Sequence, residues 1–163
     1  MNHTNTKARA MALDLATSTG WAVIGGGLVT SGAQCFADPK RKGVTYFPGA
    51  RFCRFESWLK TMLTDNKPTV IAYEEVYRWS GASAAHVFCG FRALLLAECA
   101  KGNIRAVAYT PSEIKKYMTG KGNADKLAMM AEAERRWPGI DLADDNHADA
   151  LALLHLHLAT TIT

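Results

Sequence analysis

The stretch ARAMALDLATSTGWAVIGGGLVTSGAQCF, Ala8 to Phe36, decides how the rest of the chain is read. Ala8 to Leu15 is a short apolar run that stops at a Thr/Ser/Gly turn, and Gly20 to Ile24 resumes as a second strand. Gly25, Gly26 and Gly27 form a turn, and Leu28 to Phe36 alternates well enough for a third strand. Three strands joined by short turns make an antiparallel meander. One carboxylate, Asp14, stands where the first of them ends.

Downstream the hydrophobic period changes. From about Ala50 to Leu63, Phe52, Phe55, Trp58, Leu59 and Met62 share one helical face, as a helix packed on a sheet requires. Thr69 to Tyr73 is a short β-rich run that stops at Glu74 and Glu75, and the polar turn Arg78 to Gly81 leads into a long helix reaching about Ala100. Ile104 to Tyr109 reads as a strand, and Pro111 to Met118 as a helix with proline in its first turn. Gly120 to Asn123 breaks it, Ala124 to Arg136 forms another helix, and Asp145 to about Thr160 forms the last. Strands that first run as a meander and then alternate with helices predict an α/β fold. Its sheet is a mixed five-stranded one, three antiparallel strands then parallel strands, flanked by helices.

Composition sets the outer limits. A chain of 163 residues, 48% hydrophobic and 21% charged, has enough material for one domain with a proper core. We expect a flexible tail over 1–6 and a single domain over 7–163. No apolar run reads as long enough for a membrane span, and MNHTNTKARA lacks the apolar middle of a signal peptide, so a cytoplasmic protein is expected. Cys35, Cys53, Cys89 and Cys99 show no Cys-x-x-Cys pairing, which argues against a zinc site or a disulfide framework and for reduced, mostly buried thiols. The net charge of +4 is compatible with a polyanionic partner without demanding one. Distribution says more. Basic residues group at Lys40, Arg41 and Lys42, at Arg51 and Arg54, and at Lys115, Lys116, Lys121 and Lys126, while acids group between Leu142 and Asp149. Such grouping is usually a solvated face; here it also suits a phosphate-contacting rim around an acidic centre.

That acidic group, LADDNHADALALL from Leu142 to Leu154, opens an otherwise apolar helix. Capping explains Asp144, whose side chain suits the free amides of a first turn. It does not explain Asp149, which lies past the capping position and precedes Ala150, Leu151, Ala152, Leu153 and Leu154. A carboxylate there faces the core or a cleft and needs a partner. Ligands in open α/β sheets bind at strand ends. If the first and fourth strands are neighbours, Asp14 meets Glu74, and the last helix can bring Asp149 to the same place, with Asp145 four residues earlier on the same face. Carboxylates that converge repel each other unless cations neutralise them, and hard oxygen donors select magnesium or manganese over zinc. A pair of such ions about 4 Å apart is the standard clamp for attack of water on a phosphodiester. The residues therefore point to a metal-dependent nuclease.

ALDLATSTGWAV, AYEEVY and DDNHADALAL, in that order over nearly the whole chain, resemble the RuvC family of Holliday-junction resolvases, within the ribonuclease H-like fold. The compact form is similar to the resolvases of phages and prophages, and the segment YTPSEIKKYMTGKGNADK resembles the family's basic segment around a glycine turn. The resemblance implies magnesium, with manganese as a substitute, a homodimer with its seam on Ala84 to Ala100, branched DNA as partner and no nucleotide cofactor. It implies Asp14, Glu74 and Asp149 as catalytic metal ligands. The family places a fourth ligand three residues before the last Asp, where this chain has Asn146. Asp145, one residue further back, is expected to provide the missing charge; the alternative is ligation through the Asn146 carbonyl oxygen. Lys115, Lys121 and Lys126 are implied phosphate contacts, and Tyr77, Arg78 and Trp79 implied DNA contacts beside Glu74.

Plainer roles stand beside these. Asp14 by itself is a turn residue, Glu75 structural, Trp79 equally a packing residue, and His86, His155 and His157 satisfied structural histidines. His147 lies off the Asp149 face, and Lys40, Arg41 and Lys42 make a solvated loop unless they touch DNA backbone. Two rival functions remain: a junction-binding module with weakened cleavage, motivated by Asn146, and a small phosphotransferase, for whose two-lobed nucleotide cleft the chain is too short.

Overall fold

The computed structural model describes residues 9–38, 47 and 49–161. The expected tail over 1–6 and the trio Lys40, Arg41 and Lys42 lie outside the described residues. The meander is present as β1 (Ala10–Asp14), β2 (Ser18–Gly25) and β3 (Leu28–Cys35), turning through Gly26 and Gly27, both at positive φ. Then come α1 (Ala50–Asn66), β4 (Val70–Glu74), α2 (Ala82–Gly102), β5 (Arg105–Tyr109), α3 (Pro111–Thr119), α4 (Lys126–Arg136) and α5 (Asp145–Thr161). The helix expected from Ala124 starts two residues later because Asp125 is its cap, its carboxylate accepting the Ala128 N–H at 2.8 Å. The α3 start is a capping box in which Thr110 and Glu113 satisfy each other's backbone amides.

The sheet order is β3-β2-β1-β4-β5, with β1–β2 and β2–β3 antiparallel and β1–β4 and β4–β5 parallel. The expected mixed sheet is thus present, and its central strands are buried throughout β1 and over most of β4. Strand alternation divides the core in two. Ala10, Ala12, Ala22, Val70 and Ala72 pack against α5 and its neighbours, where small sheet residues let Leu151, Leu153 and Leu154 come close. Met11, Leu13, Val23, Ile71 and Tyr73 pack on the other face against α1 and α2. There the expected face of α1 is in place: Phe55 and Leu59 are fully buried, and the Phe55 ring stacks on Phe91 at 4.0 Å and 7°.

Two expectations need correction. The helix α2 is, by length and composition, apolar enough to cross a bilayer, with a mean hydropathy of 1.3 in its most apolar window. Its apolarity serves the sheet: Val87, Phe88, Phe91, Leu95 and Cys99 are buried, and Arg92 bonds Glu75. The thiols are also not mostly buried. Cys99 is, but Cys35 ends an edge strand, and Cys53 and Cys89 lie on outward faces of α1 and α2.

The stacked Phe55 ring should dominate the stability of this layer. Phe55→Ala is expected to cost about 3–5 kcal/mol in urea unfolding, lowering the thermal midpoint by roughly 6–20 °C. Gly25→Ala, whose added Cβ would meet nothing within 4 Å, should change stability by less than about 0.5 kcal/mol.

Candidate active site

Because β1 and β4 are parallel, their last residues emerge at one edge, and Asp14 and Glu74 emerge with them. The turn from β1 to β2 lies at the same edge, as Asp14 pairs with Gly20 across the ladder. The start of α5 crosses this edge, and Asp149, one turn into the helix, joins the two acids. A cleft of about 490 Å³ results, lined by Asp14, Glu74, Asn146 and Asp149, with Thr17 and Ser18 on one side and Arg78, Trp79 and Phe88 on another. A larger depression, about 590 Å³, lies between the C-terminal ends of α1 and α2 and includes Lys60, Lys67 and Lys101. Its one carboxylate, Glu98, is already paired with Lys101 at 2.7 Å, so it lacks the convergent acids that distinguish the smaller cleft.

The acids show their confinement electrostatically. Asp14 is 7% exposed, and burial first, then the charges of Glu74 and Asp149, raise its pKa well above the ordinary carboxylate value. Burial also raises Glu74, while its hydrogen bond with Asp14 and the nearby Lys115 act the other way. The two carboxyl groups thus act on each other directly across the strand ends. Asp149 is pushed up to about 7 by burial, Glu74 and Asp145, against the opposing pull of Lys115 and Lys126. Among the described residues, no three His, Cys, Asp or Glu side chains gather closely enough to cage one ion. The acids instead line the cleft from three separate elements.

The other sequence candidates divide. Asp145 lies within electrostatic range of Asp14 and Asp149 but is paired with Lys126 at 2.8 Å and does not line the cleft. Asn146 does line it, and its amide nitrogen donates to the Ser18 carbonyl at 2.7 Å. Asp144 caps α5 as expected, accepting the His147 N–H at 2.9 Å. His147 is buried and structural, accepting the Ala143 N–H at Nδ1 over 3.1 Å and meeting Ser31 Oγ at 2.8 Å. Glu75 points away from Glu74, accepting from Tyr73 and Arg92 at 3.2 and 3.0 Å. Tyr77 is 71% exposed, whereas Trp79 is half-exposed and its ring lies 6.0 Å from that of Phe88, so packing and cleft lining coexist there. Lys121 is exposed on the loop between α3 and α4. His157 bonds Tyr109 and His155 lies against Trp137, but His86 is exposed on α2, contrary to expectation, because its face of the helix turns from the sheet. Sequence reading missed Ser18 as a cleft residue; its only signal was its place in the small-residue turn after Asp14.

Comparison with known proteins gives a family. A family model described as Crossover junction endodeoxyribonuclease RuvC matches residues 16–157, beginning just past Asp14. The protein of that name from Parvibaculum lavamentivorans is 29% identical over 151 residues, covering 86% of this chain and 80% of that protein. The one from Zymomonas mobilis is 32% identical over 99 residues, covering 61% of this chain and 59% of the relative. Among solved structures, Thermus thermophilus RuvC in complex with a Holliday junction substrate superposes with a TM-score of 0.72 at 18% identity, covering 94% of each chain. The yeast mitochondrial Holliday junction resolvase Ydc2 superposes with a TM-score of 0.63 at 12% identity, covering 91% of this chain and 77% of that one. At such identities the superpositions speak to the fold, which is ribonuclease H-like. The family match spans most of the sequence, and the chain belongs to the RuvC family of crossover junction endodeoxyribonucleases.

Proposed function

We propose that this protein is a magnesium-dependent, structure-selective endodeoxyribonuclease that cuts four-way DNA junctions in the cytoplasm, with manganese able to replace magnesium. The observation that carries this is the convergence of Asp14, Glu74 and Asp149, from β1, β4 and α5, on one cleft that Arg78 also lines, with Lys115 and Lys126 within electrostatic range of Asp149. The donor set fits divalent cations: it is all hard oxygen, and burial together with the neighbouring carboxylates makes the charged forms costly unless a cation joins them. Donors spread around a cleft suit a pair of ions better than a single closed cage. When bound, the cations activate water and stabilise the leaving oxygen.

The chain's own residues do the rest. Asp14, Glu74 and Asp149 hold the cations. The fourth donor is the Asn146 side-chain amide oxygen, since Asn146 and not Asp145 borders the cleft and its side-chain nitrogen is already committed to Ser18. Asp145 adds charge from beside the cleft and pairs with Lys126, and Lys126 and Lys115, both within electrostatic range of Asp149, would meet the phosphate. Tyr77 and Trp79 offer rings to bases unpaired at the branch, and Arg78 and Lys121 reach backbone phosphate. Products carry a 5′-phosphate and a 3′-hydroxyl. A second copy lies against the outward face of α2, where Ala93, Ala97 and Ala100 are exposed beside the partly buried Leu94 and Leu96. That pairing would set two clefts on one junction.

Asp14→Asn and Glu74→Gln should each lower magnesium-dependent nicking of a synthetic junction by about 10³-fold or more, with junction binding retained in a gel-shift assay. Undiminished cutting by both would sink the proposal, and wild-type binding with no cutting under any divalent ion would favour the binding-module reading that Asn146 motivates. The raised pKa of Asp149 gives a pH signature for metal-free protein. A folded-state pKa above the unfolded one contributes stability present at low pH and lost as pH rises through about 7. The thermal midpoint should therefore fall by about 5 °C or more from pH 5 to pH 8, and magnesium should restore it at pH 8 far more than at pH 5; calorimetry reads both. Ala97→Arg, at the proposed seam, should convert a dimer to a monomer in analytical ultracentrifugation.

A further inference from the structure

The placement of Asp149 opposite Asp14 depends on contacts made by neither carboxyl group. Asp14 shares a ladder rung with Gly20, so whatever touches Gly20 is fixed relative to Asp14. The first turn of α5 touches it directly: a Cβ built on Gly20 would lie 1.8 Å from the Asn146 backbone carbonyl oxygen and 2.9 Å from the His147 backbone nitrogen. No side chain fits there. The helix backbone rests on the bare strand one turn ahead of Asp149.

Ser18, two residues earlier in β2, grips the same turn with two arms. Its hydroxyl donates to Asp144 Oδ2 at 2.6 Å, and its carbonyl accepts from Asn146 Nδ2 at 2.7 Å. Asp144 uses its other oxygen to cap the His147 N–H. With Nδ1 accepting from Ala143, His147 carries its proton on Nε2 and donates it to Ser31 Oγ on β3. The start of α5 is thus tied to two strands of the meander.

We propose that Ser18 and Gly20 are positioning residues for the reaction, setting the separation of Asp14 and Asp149 and the aim of the Asn146 side-chain amide oxygen by clamping the first turn of α5 onto β2. The proposal rests on the metal-centre reading given above. Like charges in a buried cleft do not approach unaided, and without a clamp the helix start would move outward, relieving repulsion at the expense of cation binding. Ser18 acts only through its partners. Loss of its hydroxyl frees Asp144 but leaves all cleft carboxylates chemically intact.

The test uses the full chain with manganese as probe. Manganese affinity is read by electron paramagnetic resonance without DNA, and kcat and KM are read on a synthetic four-way junction. Ser18→Ala should weaken manganese binding about tenfold and lower kcat about tenfold with KM within about twofold, while Ser18→Thr, which keeps a hydroxyl, should restore both. Gly20→Ala should weaken manganese binding by more than about a hundredfold; if it fails to fold, the Ser18 pair decides alone. Wild-type manganese affinity and kcat in Ser18→Ala, or a Ser18→Thr as defective as Ser18→Ala, overturns the clamp. No manganese binding by wild type overturns the metal-centre reading, and the clamp with it, so the two failures are distinguishable.

Discussion

Carboxylates crowded into a buried cleft push one another apart, and the architecture around them is arranged to resist that push. Asp14 and Glu74 are fixed by a parallel β1–β4 pair, which cannot splay without breaking the centre of the sheet. Asp149 has no such ladder. It depends on the docking of α5 against β1 and β2, where alanines on the sheet and the bare backbone of Gly20 let a helix rich in leucine come close. The price of that close approach is a set of raised carboxyl pKa values. Acidic groups held together that Lys115 and Lys126 only partly offset favour bound cations.

The meander explains why this can happen at one edge. Reversing β2 against β1 returns the Ser18–Gly20 segment to the end of β1 that bears Asp14, while the parallel crossover through α1 brings β4 out at the same end. Helix α2 completes the opposite wall through Val87 and Phe88. Arg92 on that helix holds Glu75 back from the cleft, which leaves Glu74 alone on the cleft side of the strand end.

Much of this was readable in the sequence. Strand ends that stop at Asp14 and at Glu74 are visible as changes of pattern, and Asp149 stood out because helix capping could not account for it. The meander followed from a glycine turn between two apolar runs, and the mixed sheet from helical spacing later, while the adjacency of β1 and β4 was only a condition until the structure supplied it. What was not readable depends on partners distant along the chain: Ser18 and Asp144 are 126 residues apart, and Ser18 and Asn146 are 128. The same holds for Lys126, which reads as a free phosphate contact until Asp145 is found beside it. Exposure was misjudged where residue type outweighed position, as with Cys53, whose neighbours Phe52 and Arg54 face opposite ways on α1, and with the apolar α2, whose one sheet-facing stripe hides its membrane-like length.

The central claim is that the cleft between β1, β4 and α5 is a cation centre rather than a set of strained but structural acids. Anomalous diffraction from crystals soaked in manganese tests this most directly. Two peaks about 4 Å apart, with Asp14, Glu74 and Asp149 among their ligands and the Asn146 side-chain amide oxygen facing one of them, is the result this account predicts. An empty cleft in crystals that bind manganese elsewhere would contradict it.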